Sequence, residues 1–182
     1  MAKIILVTGV PGSGKTTAIK RILSRLTTKV GGFYTQEDRA GGVRMGFKIV
    51  TLDGQEGILA HVEIEGQPRI SKYGVNLAAI ESIAVASLKR AEQQASVIIL
   101  DEIGPMEILS EEFCRTVMDL LESEVSVVGS IVKRRLPFAE KVKSHPAVTL
   151  LEITPSNRHR IVDQVLELLE DTIPESREDR KS

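Results

Sequence analysis

Five short apolar runs recur along the chain, and they are rich in valine and isoleucine. Their apolar positions do not alternate cleanly with polar ones, which is typical of strands that are buried on both faces of a sheet. These runs cover residues 3–8, 32–35, 97–100, 125–132 and 148–153. We therefore predict five core strands.

Stretches with apolar residues at helical spacing lie between most of these runs. The predicted helices cover residues 16–26, 77–95, 110–121 and 157–172, and Ser110 is a candidate N-cap. Strands that alternate with helices favour right-handed βαβ crossovers and a parallel sheet with helices on both faces. The predicted fold class is therefore α/β.

Residues 41–66 break this pattern. The pairs Gly41-Gly42 and Asp53-Gly54 bracket shorter alternating runs at 47–52 and 57–64. An Asp-Gly pair between alternating runs is a hairpin signal, so we predict an antiparallel insertion. Residues 174–182 are polar without periodicity and predict a flexible tail, so that residues 1–173 form a single domain.

Composition narrows the functional class. The 182 residues suit one domain, and 24 Lys plus Arg against 25 Asp plus Glu give a formal charge of −1. That balance argues against a dedicated nucleic-acid binder, which usually has a basic excess. A single cysteine, and the lack of any apolar run near the roughly 18 residues needed to cross a bilayer, predict a soluble cytoplasmic protein.

The strongest chemical signal is the segment G-V-P-G-S-G-K-T at residues 9–16, which fits the phosphate-loop pattern G-x-x-x-x-G-K-[ST]. Its glycines let successive N–H groups converge on phosphate oxygens, at the positive end of the following helix. Lys15 is placed to reach the β- and γ-phosphates, and the Thr16 hydroxyl to bind Mg²⁺. The predicted nucleotide-binding residues here are Gly9, Val10, Pro11, Gly12, Ser13, Gly14, Lys15, Thr16 and Thr17.

The alternative to a phosphate-binding loop is an ordinary glycine-rich turn between a strand and a helix. A chance match is expected in only about 0.6% of chains of this length, and here the motif directly follows an apolar strand and opens a helix. The phosphate-binding interpretation is therefore preferred.

The second chemical signal is a pair of carboxylates, Asp101 and Glu102, directly after the apolar run at 97–100. This is the pattern of a Walker-B strand. We expect Asp101 to complete the Mg²⁺ site through water, because Mg²⁺ keeps much of its hydration shell. Glu102 is placed to orient or deprotonate a water that attacks the γ-phosphate.

Several segments together resemble one family. They are residues 9–17, G-G-F-Y-T-Q-E-D-R at 31–39, V-R-M-G-F at 43–47, D-E-I-G-P-M-E at 101–107 and T-P-S-N-R at 154–158. In this order they resemble the small thermophile-type nucleoside-triphosphatases, which are relatives of the human cancer-related nucleoside-triphosphatase. The resemblance implies a RecA/kinase-like P-loop core, a three-layer sandwich, and slow Mg²⁺-dependent hydrolysis of several nucleoside triphosphates. Carried over by position, it also implies that residues 9–16 and the pair Asp101 and Glu102 contact the nucleotide. Glu107 matches a family position, without a role that we can assign.

Four arginines are candidates for stabilising charge on the transferring phosphoryl group: Arg39, Arg44, Arg134 and Arg135. We favour Arg134 and Arg135 as catalytic residues because they follow a core strand at the edge where open α/β sheets bind ligands. A plain solvated turn is the alternative for both. Ser130, near the end of the same strand, can contact the γ-phosphate or simply satisfy local backbone.

These signals predict an enzyme that splits the β–γ bond of ATP, GTP, CTP and UTP. Loose base selectivity is expected because the sequence lacks the N-K-x-D segment typical of guanine-specific switches. Slow turnover is expected because none of the four candidate arginines is firmly assigned as an arginine finger. We expect a monomer, with neither membrane nor nucleic acid as a partner. A nucleoside or nucleotide kinase is the first alternative, and a nucleotide-dependent switch or binding module is the second.

Overall fold

One mixed sheet organises the molecule, for which a computed structural model describes residues 2–170. Within that range its nine strands lie in the order β5-β6-β4-β3-β2-β7-β8-β1-β9. The strands are β1 (Ile4–Gly9), β2 (Val30–Ala40), β3 (Val43–Thr51), β4 (Glu56–His61), β5 (Arg69–Ile70), β6 (Tyr73–Val75), β7 (Val97–Ile103), β8 (Ser126–Val132) and β9 (Val148–Glu152). The helices are α1 (Lys15–Arg25), α2 (Leu77–Ala79), α3 (Ala86–Gln94), α4 (Glu111–Leu121), α5 (Pro137–Lys143) and α6 (Arg160–Glu170).

Five parallel strands, β2-β7-β8-β1-β9, form the core of the sheet. Successive residues of a strand point to opposite faces, so Ile4 and Leu6 of β1 pack with α3, α4 and α5, whereas Ile5 and Val7 pack with α1 and α6. Both faces of β1 are fully buried, which explains why its sequence does not alternate. The predicted three-layer α/β P-loop fold is confirmed.

The antiparallel part of the sheet is larger than the predicted insertion at 41–66. Strand β2 pairs in parallel with β7 over residues 30–33 and then antiparallel with β3 up to Ala40. The turns at Gly41-Gly42 and Asp53-Gly54 are where they were predicted, but β5 and β6 carry the antiparallel pairing on to Val75. The predicted bounds were wrong because the second half of β2 is polar and because β5 and β6 have only two and three residues.

The helical predictions also needed correction. A π-helical turn, Ile80–Val85, joins α2 to α3 inside the predicted helix 77–95. Helix α5 was missed because its seven residues are too few for a clear period. Helix α6 begins at Arg160 rather than at 157, and its predicted end at 172, like the predicted tail at 174–182, lies outside the described residues. The boundaries of the single domain stay a prediction.

Among residues 2–170, every helix is too short or too polar to cross a bilayer.

Candidate nucleotide site

The loop between β1 and α1 is shaped by its glycines. Gly12 and Gly14 have φ angles of 78° and 99°, in the left-handed region that side chains disfavour. Ser13 N donates to the carbonyl of Val10 at 3.0 Å, which closes the turn. A Cβ on Gly9 would lie 2.5 Å from Ser13 Oγ, so the tight curvature also depends on that glycine. The predicted strand–loop–helix arrangement is confirmed.

The electrostatics of this loop favour an anion. Helix α1 has no acidic residue in its first turn, so its unpaired N–H groups and positive dipole end face the loop without a counter-charge from that turn. The Lys15 ammonium donates to the carbonyl of Gly9 at 2.9 Å, and its side chain is only 12% exposed. The loop therefore holds a positive charge in a sheltered position at the end of β1.

Asp101 belongs to β7, lies near Thr16 and Lys15 of the phosphate loop, and is 1% exposed. Ser130 Oγ, on the neighbouring strand β8, donates a hydrogen bond to Asp101 Oδ1. Burial raises the pKa of Asp101, and the hydroxyls of Ser130 and Thr16 act in the opposite direction. The other carboxyl oxygen, Oδ2, is buried and has no hydrogen-bond partner among the described residues, as is also true of Ser13 Oγ.

This donor set fits a hard divalent cation. An unpartnered, buried carboxylate oxygen beside a threonine hydroxyl offers the oxygen ligands that Mg²⁺ prefers, and a cation there would offset the cost of burying the charge. In the part of the chain that the structure describes, no cluster of three or more His, Cys, Asp or Glu side chains could hold a metal. The site therefore suits a cation that takes its remaining ligands from water and phosphate.

Glu102 is the next residue and lies beside the loop lysine. Its Oε2 is 4.0 Å from Lys15 Nζ, and its side chain is 28% exposed. Burial is the main reason why the pKa of Glu102 is raised, while the charge of Lys15 lowers it and the charge of Asp101 raises it further. Glu102 is thus a partly sheltered carboxylate with access to solvent, next to the expected position of a γ-phosphate.

The four candidate arginines fall into two groups. Arg39 and Arg44 both bind the carboxylate of Glu37, at 2.7 and 3.0 Å, on the antiparallel part of the sheet. Arg134 and Arg135 are exposed after β8, and neither guanidinium has an ion pair or hydrogen bond with the described residues. Only the second group is free to meet a ligand without breaking an existing pair.

Sequence reasoning overlooked two further side chains beside the site. Lys20 lies four residues after Thr16, on the same face of α1, and its Nζ is 4.8 Å from the centroid of the Tyr34 ring. Burial dominates the pKa of Asp101, but the charge of Lys20 also reaches that carboxylate and lowers its pKa. The helical spacing from Thr16 was the signal that could have identified Lys20, whereas Tyr34 carries no comparable signal.

Comparison with known proteins places the whole described fold among nucleotide-hydrolysing enzymes. A family model described as NTPase matches residues 4–166. The nucleoside-triphosphatase THEP1 of Thermotoga sp. (strain RQ2) is 49% identical over 165 residues, which are 91% of this chain and 94% of that protein. The THEP1 of Methanothermobacter thermautotrophicus is 40% identical over 92% of this chain and 96% of its own length.

Two solved structures share the fold. The crystal structure of THEP1 from the hyperthermophile Aquifex aeolicus matches with a TM-score of 0.85 at 37% identity, over 92% of this chain and 99% of that one. The solution structure of a human cancer-related nucleoside triphosphatase matches with a TM-score of 0.80 at 31% identity, over 94% of this chain and 100% of that one.

Proposed function

Since the chain belongs to the NTPase family and is a nucleoside-triphosphatase, we propose that it hydrolyses the β–γ bond of ATP, GTP, CTP and UTP slowly, with Mg²⁺ and with loose base selectivity. One juxtaposition carries the proposal. The Lys15 ammonium of the phosphate loop and the Glu102 carboxylate of β7 lie 4.0 Å apart at the same edge of the sheet. A γ-phosphate and an attacking water need these two groups within one site.

The phosphate loop binds and orients the triphosphate in this proposal. Main-chain N–H groups within residues 9–17, where Pro11 has none to offer, would surround the phosphate oxygens, and Lys15 would contact the β- and γ-phosphates. The bent backbone at Gly12 and Gly14 supports this role because it brings consecutive N–H groups to one side. Binding is therefore assigned mainly to backbone groups that need little reorganisation.

The residues suited to hold Mg²⁺ are Thr16, through its hydroxyl, and Asp101, through the carboxyl oxygen that lacks a partner. When bound, the cation would neutralise charge on the β- and γ-phosphates and favour attack at the γ-phosphorus. Ser130 supports this assignment, since its hydrogen bond fixes the rotation of the Asp101 carboxyl group.

Glu102 prepares the nucleophile. Its ionised carboxylate would accept a proton from water as the water oxygen bonds to the γ-phosphorus. The bond from that phosphorus to the β–γ bridging oxygen breaks, and its electron pair leaves with the nucleoside diphosphate. A carboxylate whose pKa is raised, chiefly by burial, is a better base than an ordinary one near neutral pH.

Arg134 and Arg135 are our candidates for stabilising the transferring phosphoryl group. Both are exposed, so neither is held in place before the nucleotide binds. An arginine that must be ordered during the reaction stabilises the transition state less than a preorganised one, which is consistent with slow turnover.

A phosphate-release panel with ATP, GTP, CTP and UTP, with and without Mg²⁺, tests this proposal. We expect release from all four nucleotides without any acceptor, at rates well below tens per second, and none after chelation of Mg²⁺. Phosphoryl transfer only after a nucleoside is added would instead identify a kinase, and a strict guanine preference would favour a switch. The cytoplasmic location and the monomeric state stay predictions.

A further inference from the structure

The segment T-P-S-N-R at residues 154–158 has no part in the steps above, although it directly follows β9. Strand β9 runs parallel to β1, so this segment lies at the same edge of the sheet as the phosphate loop. Glu102, next to the expected position of the γ-phosphate, belongs to β7. Strands β8 and β1 separate β7 from β9 in the sheet, so the nucleoside end of the triphosphate extends from the loop towards the β9 side.

Ile153 packs this segment against the phosphate loop. It is 2% exposed, and its N–H group donates to the carbonyl of Thr8 at 2.8 Å. A Cβ on Gly9 would lie 2.8 Å from Ile153 Cγ2, and a Cβ on Gly14 would lie 4.0 Å from Ile153 Cδ1. The turn at 154–158 is therefore anchored directly beside the loop that would hold the phosphates.

The small polar side chains of this turn are bonded within the turn itself. Asn157 Oδ1 accepts from Thr154 N at 2.7 Å, and Asn157 Nδ2 donates to the carbonyl of Glu152 at 2.8 Å. The hydroxyls of Thr154 and Ser156 share a hydrogen bond at 3.0 Å. The N–H group of Arg158 donates to the carbonyl of Thr154 at 3.1 Å and closes the turn. The amide and the two hydroxyls that could recognise the edge of a particular base are thus already engaged.

The guanidinium of Arg158 is the exception. Arg158 is exposed, and its side chain has no ion pair or hydrogen bond with any of residues 2–170. The acidic residues nearest to it along the chain are paired elsewhere. Glu152 binds Lys133, and Asp163 binds Arg25 at 2.5 Å. A planar guanidinium stacks on the face of an aromatic ring, and every nucleobase presents such a face.

We propose that Arg158 is the base-binding residue of this site, and that its guanidinium stacks on the face of the nucleobase while the turn makes no base-specific hydrogen bond. The inference rests on the proposed function and gives its loose base selectivity a physical cause. Adenine, guanine, cytosine and uracil differ in the hydrogen-bonding groups on their edges, but all four offer a face for stacking.

Steady-state phosphate release by Arg158→Ala and Arg158→Lys tests this with ATP, GTP, CTP and UTP. In Arg158→Ala, KM should rise about three- to tenfold for each nucleotide, the range of a cation–π contact. The value of kcat should stay within about twofold of wild type, because a contact to the base is equal in the ground state and the transition state. Lysine keeps the charge but not the plane, so KM should stay raised in Arg158→Lys. Wild-type KM values in Arg158→Ala, or a rise confined to one base, would overturn the proposal.

Two controls distinguish a base contact from general attraction between charges. Arg160→Ala removes an equally exposed arginine, which lines a groove on α6 with Asp163 and Gln164, and it should keep wild-type KM. Inorganic tripolyphosphate, used as a competitive inhibitor, carries the three phosphates without a base, so its inhibition constant should be the same in wild type and Arg158→Ala. An equal rise of KM in Arg160→Ala, or weaker inhibition of Arg158→Ala by tripolyphosphate, would contradict the inference.

Equilibrium titration of ATP with Mg²⁺ into Glu102→Gln, with and without Arg158→Ala, separates this inference from the proposed function. If wild type releases no phosphate, the proposed hydrolysis fails, but a Kd that Arg158→Ala raises about three- to tenfold still supports the base contact. If wild type hydrolyses nucleotides while Arg158→Ala changes neither KM nor Kd, only the role of Arg158 is wrong.

Discussion

The pKa values of carboxyl groups are shifted in opposite directions in two regions of the molecule. At the carboxyl edge of the parallel strands, the pKa values of Asp101, Glu102 and Glu107 are all raised, and burial is the largest cause for each. On the antiparallel part, the pKa of Glu37 is lowered, chiefly by its hydrogen bond from Arg39. The pKa of Asp53 is also lowered there, first by the Thr51 hydroxyl and with a further contribution from Arg90.

The difference shows which region is built for a ligand. The antiparallel carboxylates are exposed and already have cationic partners, so their charge is satisfied within the protein. At the parallel edge, Asp101 and Glu107 are buried and Glu102 is half-buried beside Lys15, and Asp101 Oδ2 has no hydrogen-bond partner in the described chain. Such an arrangement is costly unless a ligand supplies the missing charges, and a cation with a nucleotide would do so.

The largest expected contrast is between Glu102→Gln and Glu37→Gln. Losing a general base should lower the rate of phosphate release about 10²- to 10⁴-fold, whereas the exposed, paired Glu37 should be dispensable for turnover. Phosphate release under saturating nucleotide checks both variants. A comparable loss in Glu37→Gln would show that the antiparallel region belongs to the active site, and the comparison would fail.

The arginines offer the next contrast. Replacing Arg134 and Arg135 together by alanine should lower kcat about 10- to 100-fold, the effect expected for a hydrogen bond to a charged group. Arg39→Ala is the matched control, since its guanidinium already binds Glu37 and the carbonyl of Gly42. We expect the control to keep wild-type kcat. If Arg39→Ala instead lowered kcat and the double variant did not, the arginine that stabilises the phosphoryl group would lie in the antiparallel region.

Ser130→Ala tests whether the buried Asp101 carboxyl group depends on the hydroxyl of Ser130. It removes the hydrogen bond from Ser130 to the buried Asp101 carboxyl group, which is left with only the Thr16 hydroxyl beside it, so the free energy of unfolding should fall by about 1–3 kcal/mol. Ser87→Ala is the control, because Ser87 is equally buried but bonds only to a carbonyl of its own helical segment. Denaturant unfolding without nucleotide measures both. An equal, small loss would mean that Asp101 does not depend on Ser130.

The last contrast is in the pH dependence of stability, where the expected effects of the two regions differ in sign. The folded pKa of Glu107 is raised, so wild type should lose stability relative to Glu107→Gln as pH rises above the ordinary value of 4.5, by at most about 1.4 kcal/mol per pH unit. The folded pKa of Glu37 is lowered, so the ion pairs of Glu37 should stabilise the folded protein above pH 4.5, and this stabilisation should be lost on acidification. It should amount to at most about 1 kcal/mol, because these ion pairs are exposed.

Free energies of unfolding measured from pH 4 to 8 in the presence of a chelator would distinguish the effect of Glu107 from that of Glu37. Parallel pH profiles for Glu107→Gln and Glu37→Gln, each taken relative to wild type, would contradict the assignment of opposite environments.

The sequence predicted those parts of the molecule whose chemistry is local. The phosphate loop is one continuous segment, and Asp101 directly follows the apolar run at 97–100 of β7, so both could be recognised from their order along the chain. Strands β1, β7 and β8 were found for the same reason, since burial on both faces demands an apolar run.

Features that depend on distant contacts could not be predicted. The second half of β2 is polar yet forms a strand, because β3 supplies its hydrogen-bond partners. Nothing in the sequence near Glu107 indicates that its side chain is buried beside Gly104. The free state of Arg134, in contrast to the paired state of Arg44, likewise follows from where Glu37 lies in the folded sheet.

The most direct test of the central claim is an equilibrium titration of ATP with Mg²⁺ into Glu102→Gln, in which hydrolysis is suppressed, and into the double variant that also carries Lys15→Ala. The account predicts saturable one-to-one binding to Glu102→Gln. Affinity should fall at least about tenfold in the double variant, because a charge-assisted contact to phosphate is lost. No saturable binding to Glu102→Gln, or equal affinity in both proteins, would contradict the placement of the triphosphate in the loop at residues 9–16.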